Sequence, residues 1–359
     1  MSGKHPDAVV IGAGAIGLFT AWRLAEAGLR VLVLERGEVG REASWAGGGI
    51  LSPLHPWRYP EAVLALARWS QGVYPQLCET LRERTGIDPQ WTTGGMLILE
   101  PESVPEARRW AGSAPETVEI LDAGQQALRF PGVMTTSSAI LLPAVAQLRN
   151  PRLLQALQAQ LRALGVAFRT GLPAERLRVD KGRAVAVQTR EGEIGAACFV
   201  VAAGAWSGSI APLAIPVEPV KGQMLLYAVG AATPPVMLLR EHSYLIPRRD
   251  GRVLAGSSVE YAGFDKTPDA AMRRQLHEGA VALFPQLATG VIEAHWAGLR
   301  PGSPRGIPFI CRHPEIAGVY LNTGHFRHGL LTAPASAQLL ADLVLQRQPF
   351  VNPADYQMA

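Results

Sequence analysis

The chain alternates short, wholly apolar runs with longer stretches in which apolar positions recur every three or four residues. Ala8-Val9-Val10-Ile11 and Val31-Leu32-Val33-Leu34 are runs of the first kind. Without alternating polar positions, they predict strands buried on both faces. Between them, Gly12-Ala13-Gly14-Ala15-Ile16-Gly17 leads into a helical pattern reaching about Ala27. Gly28 follows where a left-handed backbone ends a helix. The N-terminal region therefore reads as a βαβ unit. Glu61 to Thr85 reads as a helix stopped by Gly86, with Gly72 and Pro75 expected to break or kink it. Asn150-Pro151 predicts a helix start, Asn as N-cap and Pro at the first helical position, and that helix runs to Gly165. Val166 to Val201 alternates like a sheet, with turns at Asp180-Lys181-Gly182 and Glu191-Gly192-Glu193. A second sheet block spans Val217 to about Glu260. Met272 to Phe284 is helical, Gly318 to Leu321 a strand, and Ala335 to Leu345 a helix. This order predicts an α/β (α+β) chain in which a discontinuous Rossmann-like domain (1–85, 141–217 and 296–359) is interrupted by a sheet-rich domain (86–140 and 218–295).

Composition narrows the class. The 359 residues are 48% hydrophobic and only 18% charged, which implies a large core and excludes a disordered chain. The net charge of +4 is small, and the Arg pairs at 108–109, 248–249 and 273–274 are scattered, so no nucleic-acid surface is read. Cys78, Cys198 and Cys311 are far apart and form no CxxC, which predicts buried thiols rather than disulfides or a metal site. No leader peptide is read in Met1 to Trp22. The uncharged stretch from Ile194 to Val217 is long enough to cross a membrane, but Gly204, Gly208, Pro212 and Pro216 break it. The expectation is a soluble, cytoplasmic protein.

Gly12, Gly14 and Gly17 fit G-x-G-x-x-G between a strand and a helix. The first glycine permits the tight turn, the second lets backbone approach a pyrophosphate, and the third lets helix and strand pack closely. The phosphates would sit at the helix N-terminus, around Ala15 and Ile16. Glu35 ends the second strand, where a carboxylate accepts ribose hydroxyls and repels a 2′-phosphate. This motif identifies a dinucleotide site but does not separate NAD from FAD. Arg300 lies in an apolar Gly/Pro-rich setting, Ala297-Gly298-Leu299-Arg300-Pro301-Gly302. A guanidinium is costly to bury there without an anion. A substrate carboxylate and a structural acidic partner serve equally well on this reading alone. His242 and Tyr244 alternate, so on a strand they would share a face.

Several segments resemble one family. They are Arg41-Glu42-Ala43-Ser44-Trp45-Ala46-Gly47-Gly48-Gly49-Ile50, Val201 to Gly208, Trp296 to Gly302, and Gly324-His325-Phe326-Arg327-His328-Gly329-Leu330. Together with the N-terminal fingerprint they resemble the D-amino-acid oxidase family of FAD enzymes, and within it the glycine-oxidising branch linked to thiamine biosynthesis. The resemblance implies non-covalent FAD held by Gly12, Gly14, Ala15, Ile16, Gly17, Glu35, Arg36, Ser44, Ala46, Gly47, Gly48, Gly49, Ala174, Ala203, Gly204, Trp206, His325, Phe326, Arg327, His328, Gly329 and Leu330. It implies that Arg300 and Tyr244 hold a substrate carboxylate, that His242 lines the entrance, and that Arg327, Ile50 and Ser52 lie beside the substrate. It implies hydride transfer from the α-carbon of an amino acid or amine to the flavin, with O2 as the reoxidant. No acid/base residue is required, and His325 and His328 are read as supports rather than metal ligands. A quinone-coupled dehydrogenase and a tRNA-modification oxidase are the alternatives. The resemblance also leaves room for a homo-oligomer.

Overall fold

The structure is a computed structural model and describes residues 5–230 and 233–358. Met1 to Lys4, part of the stretch read for a leader, lie outside the described residues. Two sheets organise the molecule. The first has six strands in the order Phe309–Arg312, Val319–Thr323, Cys198–Val201, β1 (Ala8–Ile11), β2 (Val31–Leu34) and Ala167–Arg169. All neighbours are parallel except the outermost pair, Phe309–Arg312 with Val319–Thr323. β1 sits in the middle, with Ala8 opposite both Val31 and Cys198.

The unbroken apolar runs are explained by what covers each face. Ala8, Val10, Val31 and Val33 pack into a layer of helices formed by α1 (Ala15–Glu26), Glu61–Thr85, Asn150–Ala163 and Gly329–Val344. Val9, Ile11, Leu32 and Leu34 pack against a three-stranded antiparallel sheet, Arg176–Asp180, Arg183–Thr189 and Gly192–Gly195. Neither face meets water, so no polar alternation is needed.

The second sheet has eight strands in the order Val291–Gly302, Glu218–Ala228, Arg252–Gly256, Ser243–Pro247, Met237–Arg240, Met96–Ile98, Ser138–Leu142 and Glu119–Asp122. Leu225, Leu238, Leu245 and Ala255 pack on the helix Ala270–Leu283. Met224, Tyr244, Ile246 and Leu254 point to the opposite face. Both Ser138–Leu142 and the whole of Val291–Gly302 belong to this sheet. Residues 141–142 and 296–302, grouped by sequence with the nucleotide side, are therefore strand residues of the other sheet.

Three local expectations are corrected. Glu61–Thr85 is one 25-residue helix despite Gly72 and Pro75. Its face of Leu66, Ala67, Tyr74, Leu77 and Leu81 is buried in the helix layer, and that burial outweighs the ~3 kcal/mol cost of an interior proline. Asn150 is not an N-cap. Its side chain leaves its own helix and donates to Ser44 O at 2.8 Å and Gly47 O at 2.9 Å, fixing the glycine-rich turn. The last helix begins at Gly329 rather than near Ala335. Pro334 lies inside it and cannot donate to Leu330 O. That carbonyl accepts the Tyr74 hydroxyl instead, and Ser70 Oγ accepts Ala335 N–H at 3.1 Å.

Tyr74→Phe keeps the ring and leaves the partly buried Leu330 O without its donor. The expected loss is about 1–3 kcal/mol of unfolding free energy. Urea denaturation of wild type and variant measures it, and equal midpoints would show the bond to be dispensable.

Candidate active site

A cavity of about 490 Å³ lies between the two sheets. Its walls bring together segments far apart in sequence, and backbone forms much of them. Gly12 has φ 108°, and a Cβ there would collide with Ala202 O. A Cβ on Gly17 would collide with Gly12 O, so the crossover from β1 to α1 closes only with glycine at both positions.

Gly14, Ile16 and Glu35 line one end of the cavity. No side chain of its own caps α1, and its first turn carries no acidic residue. Ser44 Oγ, from the neighbouring turn, accepts Ala15 N–H at 2.9 Å. Glu35 is buried, and its two oxygens accept Ala13 N–H and Gly37 N–H, each at 2.8 Å. These bonds fix the carboxylate at the strand end, and Glu35 remains part of the cavity wall. A helix N-terminus free of acidic side chains, beside a fixed carboxylate, suits a pyrophosphate and a ribose diol. Trp206 closes this end, with the Arg36 guanidinium 4.1 Å from its ring and Phe264 stacked on it at 5.5 Å. Lys266 bonds Glu42 at 2.9 Å and ties that loop to the turn before Ser44.

The last helix, Gly329–Val344, offers a second uncapped N-terminus. Gly329, Leu330 and Leu331 line the cavity, and no acidic residue occupies its first turn. His325 and His328 are buried just ahead of it. His325 Nε2 pairs with Ser336 Oγ at 3.0 Å, whereas His328 Nε2 has no hydrogen-bond partner among the described residues. Burial pushes both imidazoles down to about 3, so both are neutral at ordinary pH.

Arg300 sits on Val291–Gly302 opposite Val220. Its guanidinium lies across Gly222, where any Cβ would collide with it. It donates to Ser257 Oγ at 2.8 Å, Ser258 O at 3.0 Å and Lys221 O at 3.3 Å, all neutral acceptors. Glu260, the acid nearest in effect, is engaged elsewhere, by Gln223 Nε2 at 3.1 Å, by Ser258 Oγ and by Lys221. Burial pushes the Arg300 guanidinium below its ordinary range, and Tyr244 offsets part of that. Of the two partners left open by the sequence, a structural acid is not found among the described residues. Arg327 also lines the cavity, over the Phe326 ring and without an ion pair among the described residues.

Most residues singled out from the sequence converge here. Ile50, Ser52, Ala46, Gly47, Gly48, Gly49, Ala174, Ala203, Gly204, Tyr244 and Phe326 all line the cavity. Ala15 and Gly17, also read as cofactor contacts, are not among its lining residues, and neither is His242. The strand begins only at Ser243, and Glu241 has φ 53°, which turns His242 out to solvent. Gly222, Met224, Ser257 and Asn150 are wall residues that the sequence reading missed as such. A glycine inside a strand pattern signals a close approach, so Gly222 was findable. Nothing local marks Met224 or Ser257.

The two sheets, the glycine crossover and the polar ends of the cavity define a dinucleotide-dependent oxidoreductase. Residues 7–343 match the model of the FAD dependent oxidoreductase family known as DAO, and the chain belongs to that family. FAD is its cofactor. The glycine oxidase of Pseudomonas aeruginosa is 47% identical over 98% of each chain. The bifunctional protein ThiO/ThiG of Trichormus variabilis is 33% identical over 95% of this chain and 53% of its own. The crystal structure of glycine oxidase from Geobacillus kaustophilus superposes with a TM-score of 0.94 at 28% identity, covering 99% of both chains. No helix among the described residues is long and apolar enough to cross a membrane.

Two predictions follow from this geometry. Glu35→Ala removes an acceptor for ribose and strands two backbone N–H groups. FAD should bind about 10- to 150-fold more weakly, equivalent to about 1.5–3 kcal/mol, in titrations of the apoprotein. Unchanged affinity would remove Glu35 from the cofactor site. The second concerns acid stability. Unfolded histidines titrate near 6.5, so below that pH the unfolded chain binds protons that His325 and His328 refuse. Their contribution to stability is complete above pH ~6.5. It is lost as pH falls toward about 3, by up to about 1.4 kcal/mol per pH unit per ring. Tm should fall between about pH 6.5 and 5, and less steeply in His328→Phe; parallel slopes would contradict this.

Proposed function

We propose that this protein oxidises glycine, and with it other small amino acids and amines, at the α-carbon: glycine + O2 + H2O gives glyoxylate, ammonia and H2O2. The observation that carries the reading is Arg300, a buried guanidinium in the cavity wall whose hydrogen-bond acceptors are all neutral. Such a fork wants a planar anion, and an amino acid brings one. The family relationship and the glycine oxidases among the relatives agree with this substrate class. The imine formed first is also suited to thiazole formation in thiamine biosynthesis.

The chemistry supplied by bound FAD is acceptance of the α-hydrogen with its electron pair. Everything else falls to this chain. The α1 N-terminus and Glu35 would hold the FAD pyrophosphate and ribose. The start of Gly329–Val344, in the cavity wall and without a side-chain cap, would favour negative charge on the bound flavin through its backbone N–H groups. Arg300 and the Tyr244 hydroxyl hold the carboxylate, with Arg327, Ile50 and Ser52 around it. Position carries the catalysis, because a neutral amine needs no base to lose a hydride. Neutral His325 and His328 add no charge to the site. The reading makes a small molecule and O2 the partners of a cytoplasmic enzyme.

Arg300→Ala should keep fold and flavin yet lose amino-acid affinity by roughly 30- to several-thousand-fold, the range for truncating one member of a desolvated charge pair. Arg300→Lys should recover only part, because an ammonium cannot form the planar fork. Peroxide release from glycine and from a simple amine measures it. Any amine turnover should survive the mutation, and equal loss on both substrates would assign Arg300 to the flavin or the fold.

A further inference from the structure

Among the described residues, Met224 is the thioether in the cavity wall, and none of the three buried cysteines reaches it. Met224 lies on Glu218–Ala228, two residues beyond the Gly222 that seats Arg300. Its sulfur accepts the Tyr244 hydroxyl at 3.2 Å. Both groups rest on Gly256, where a Cβ would collide with Met224 Sδ and stand 2.9 Å from the Tyr244 oxygen. Tyr244 also neighbours Arg300, whose charge it supports. The phenol thus stands between a cation and a thioether.

A thioether is a weak acceptor. It holds the hydroxyl in place yet yields it readily to a carboxylate. The reaction proposed above also releases H2O2 into this cavity, so the sulfur meets an oxidant at every turnover. We propose that Met224 is a site of oxidation by the enzyme's own peroxide, and that the resulting sulfoxide captures the Tyr244 hydroxyl and weakens substrate binding. The first half rests on the oxidase reading and the second on Tyr244 as a carboxylate ligand. The sulfur lone pair attacks one peroxide oxygen, and an S–O bond forms as the O–O bond breaks. The departing hydroxide takes the proton left on the transferred oxygen, giving sulfoxide and water. Sulfur loses two electrons and peroxide gains them. The side chain changes from apolar to polar, with a strong acceptor beside the phenol.

The protein itself supplies the control. Trypsin cutting after Lys221 and Arg240 releases one peptide that carries both Met224 and Met237. Met237 is buried and lies outside the cavity wall. The FAD-loaded enzyme is turned over on glycine in air, sampled and analysed by peptide fragmentation. One added oxygen should accumulate on Met224 with turnover while Met237 stays unmodified. The glycine KM should rise about tenfold or more, with a smaller change in kcat per flavin. Met224→Leu should hold its own starting KM over the same number of turnovers. Tyr244→Phe should start with a raised KM that does not drift. Peroxide formed from glycine with Met224 unmodified overturns this proposal alone. If glycine yields no peroxide while reagent H2O2 still oxidises Met224 in the resting enzyme, the oxidase reading fails and this step with it. Oxidised Met224 with an unchanged glycine KM, or KM drift in Met224→Leu, overturns the capture of Tyr244.

Discussion

Backbone packed directly on backbone at the end of β1 is the constraint on which the rest of the molecule depends. Gly12 approaches Ala202 O and Gly17 approaches Gly12 O so closely that no side chain fits at either position. That contact sets where α1 starts, and so where its N-terminus points. It also joins β1 to the end of Cys198–Val201, which delivers Ala203, Gly204 and Trp206 to the same cavity. Glu35 is locked to Ala13 N–H across the same crossover. One tight turn therefore places the helix end, the acceptor carboxylate and the opposite wall together.

The second sheet solves a different problem, that of holding a cation without an anion. Arg300 is stabilised by two backbone carbonyls and Ser257 Oγ, and Gly222 leaves room for its plane. Neutral acceptors compensate part of the desolvation cost and leave the charge itself unanswered. Glu260 is the acid that would quench it, but Lys221, Gln223 and Ser258 occupy its oxygens. Arg300 and Arg327 thus both face the cavity without an ion pair among the described residues. The long strand Val291–Gly302 matters here because its register against Glu218–Ala228 puts Arg300 and Gly222 within reach of one another.

The helix layer shows how burial overrides local propensity. Pro75 and Pro334 both sit inside helices, against the usual expectation. The carbonyl freed by Pro334 is answered by Tyr74, which stands one residue before the other proline. The longer helix thus repairs the last one, and the repair ends at Leu330, a residue of the cavity wall.

The sequence by itself determined the βαβ unit, the glycine crossover and the carboxylate at Glu35, because each is a local requirement of backbone geometry written in consecutive residues. The family motifs carried the flavin and Arg300 for the same reason: both lie in short contiguous segments. The tertiary structure alone decided which strands belong to which sheet, as with residues 296–302, since pairing is set by partners distant in sequence. It alone showed that Arg300 has no acid bonded to it among the described residues, that Asn150 clamps a distant turn rather than capping its helix, and that Met224 meets Tyr244. It also turned His242 away, because the left-handed backbone at Glu241 ends the alternation on which its placement relied. Period-two patterns assign faces only where a strand exists, and whether it exists there depends on the neighbour that pairs with it.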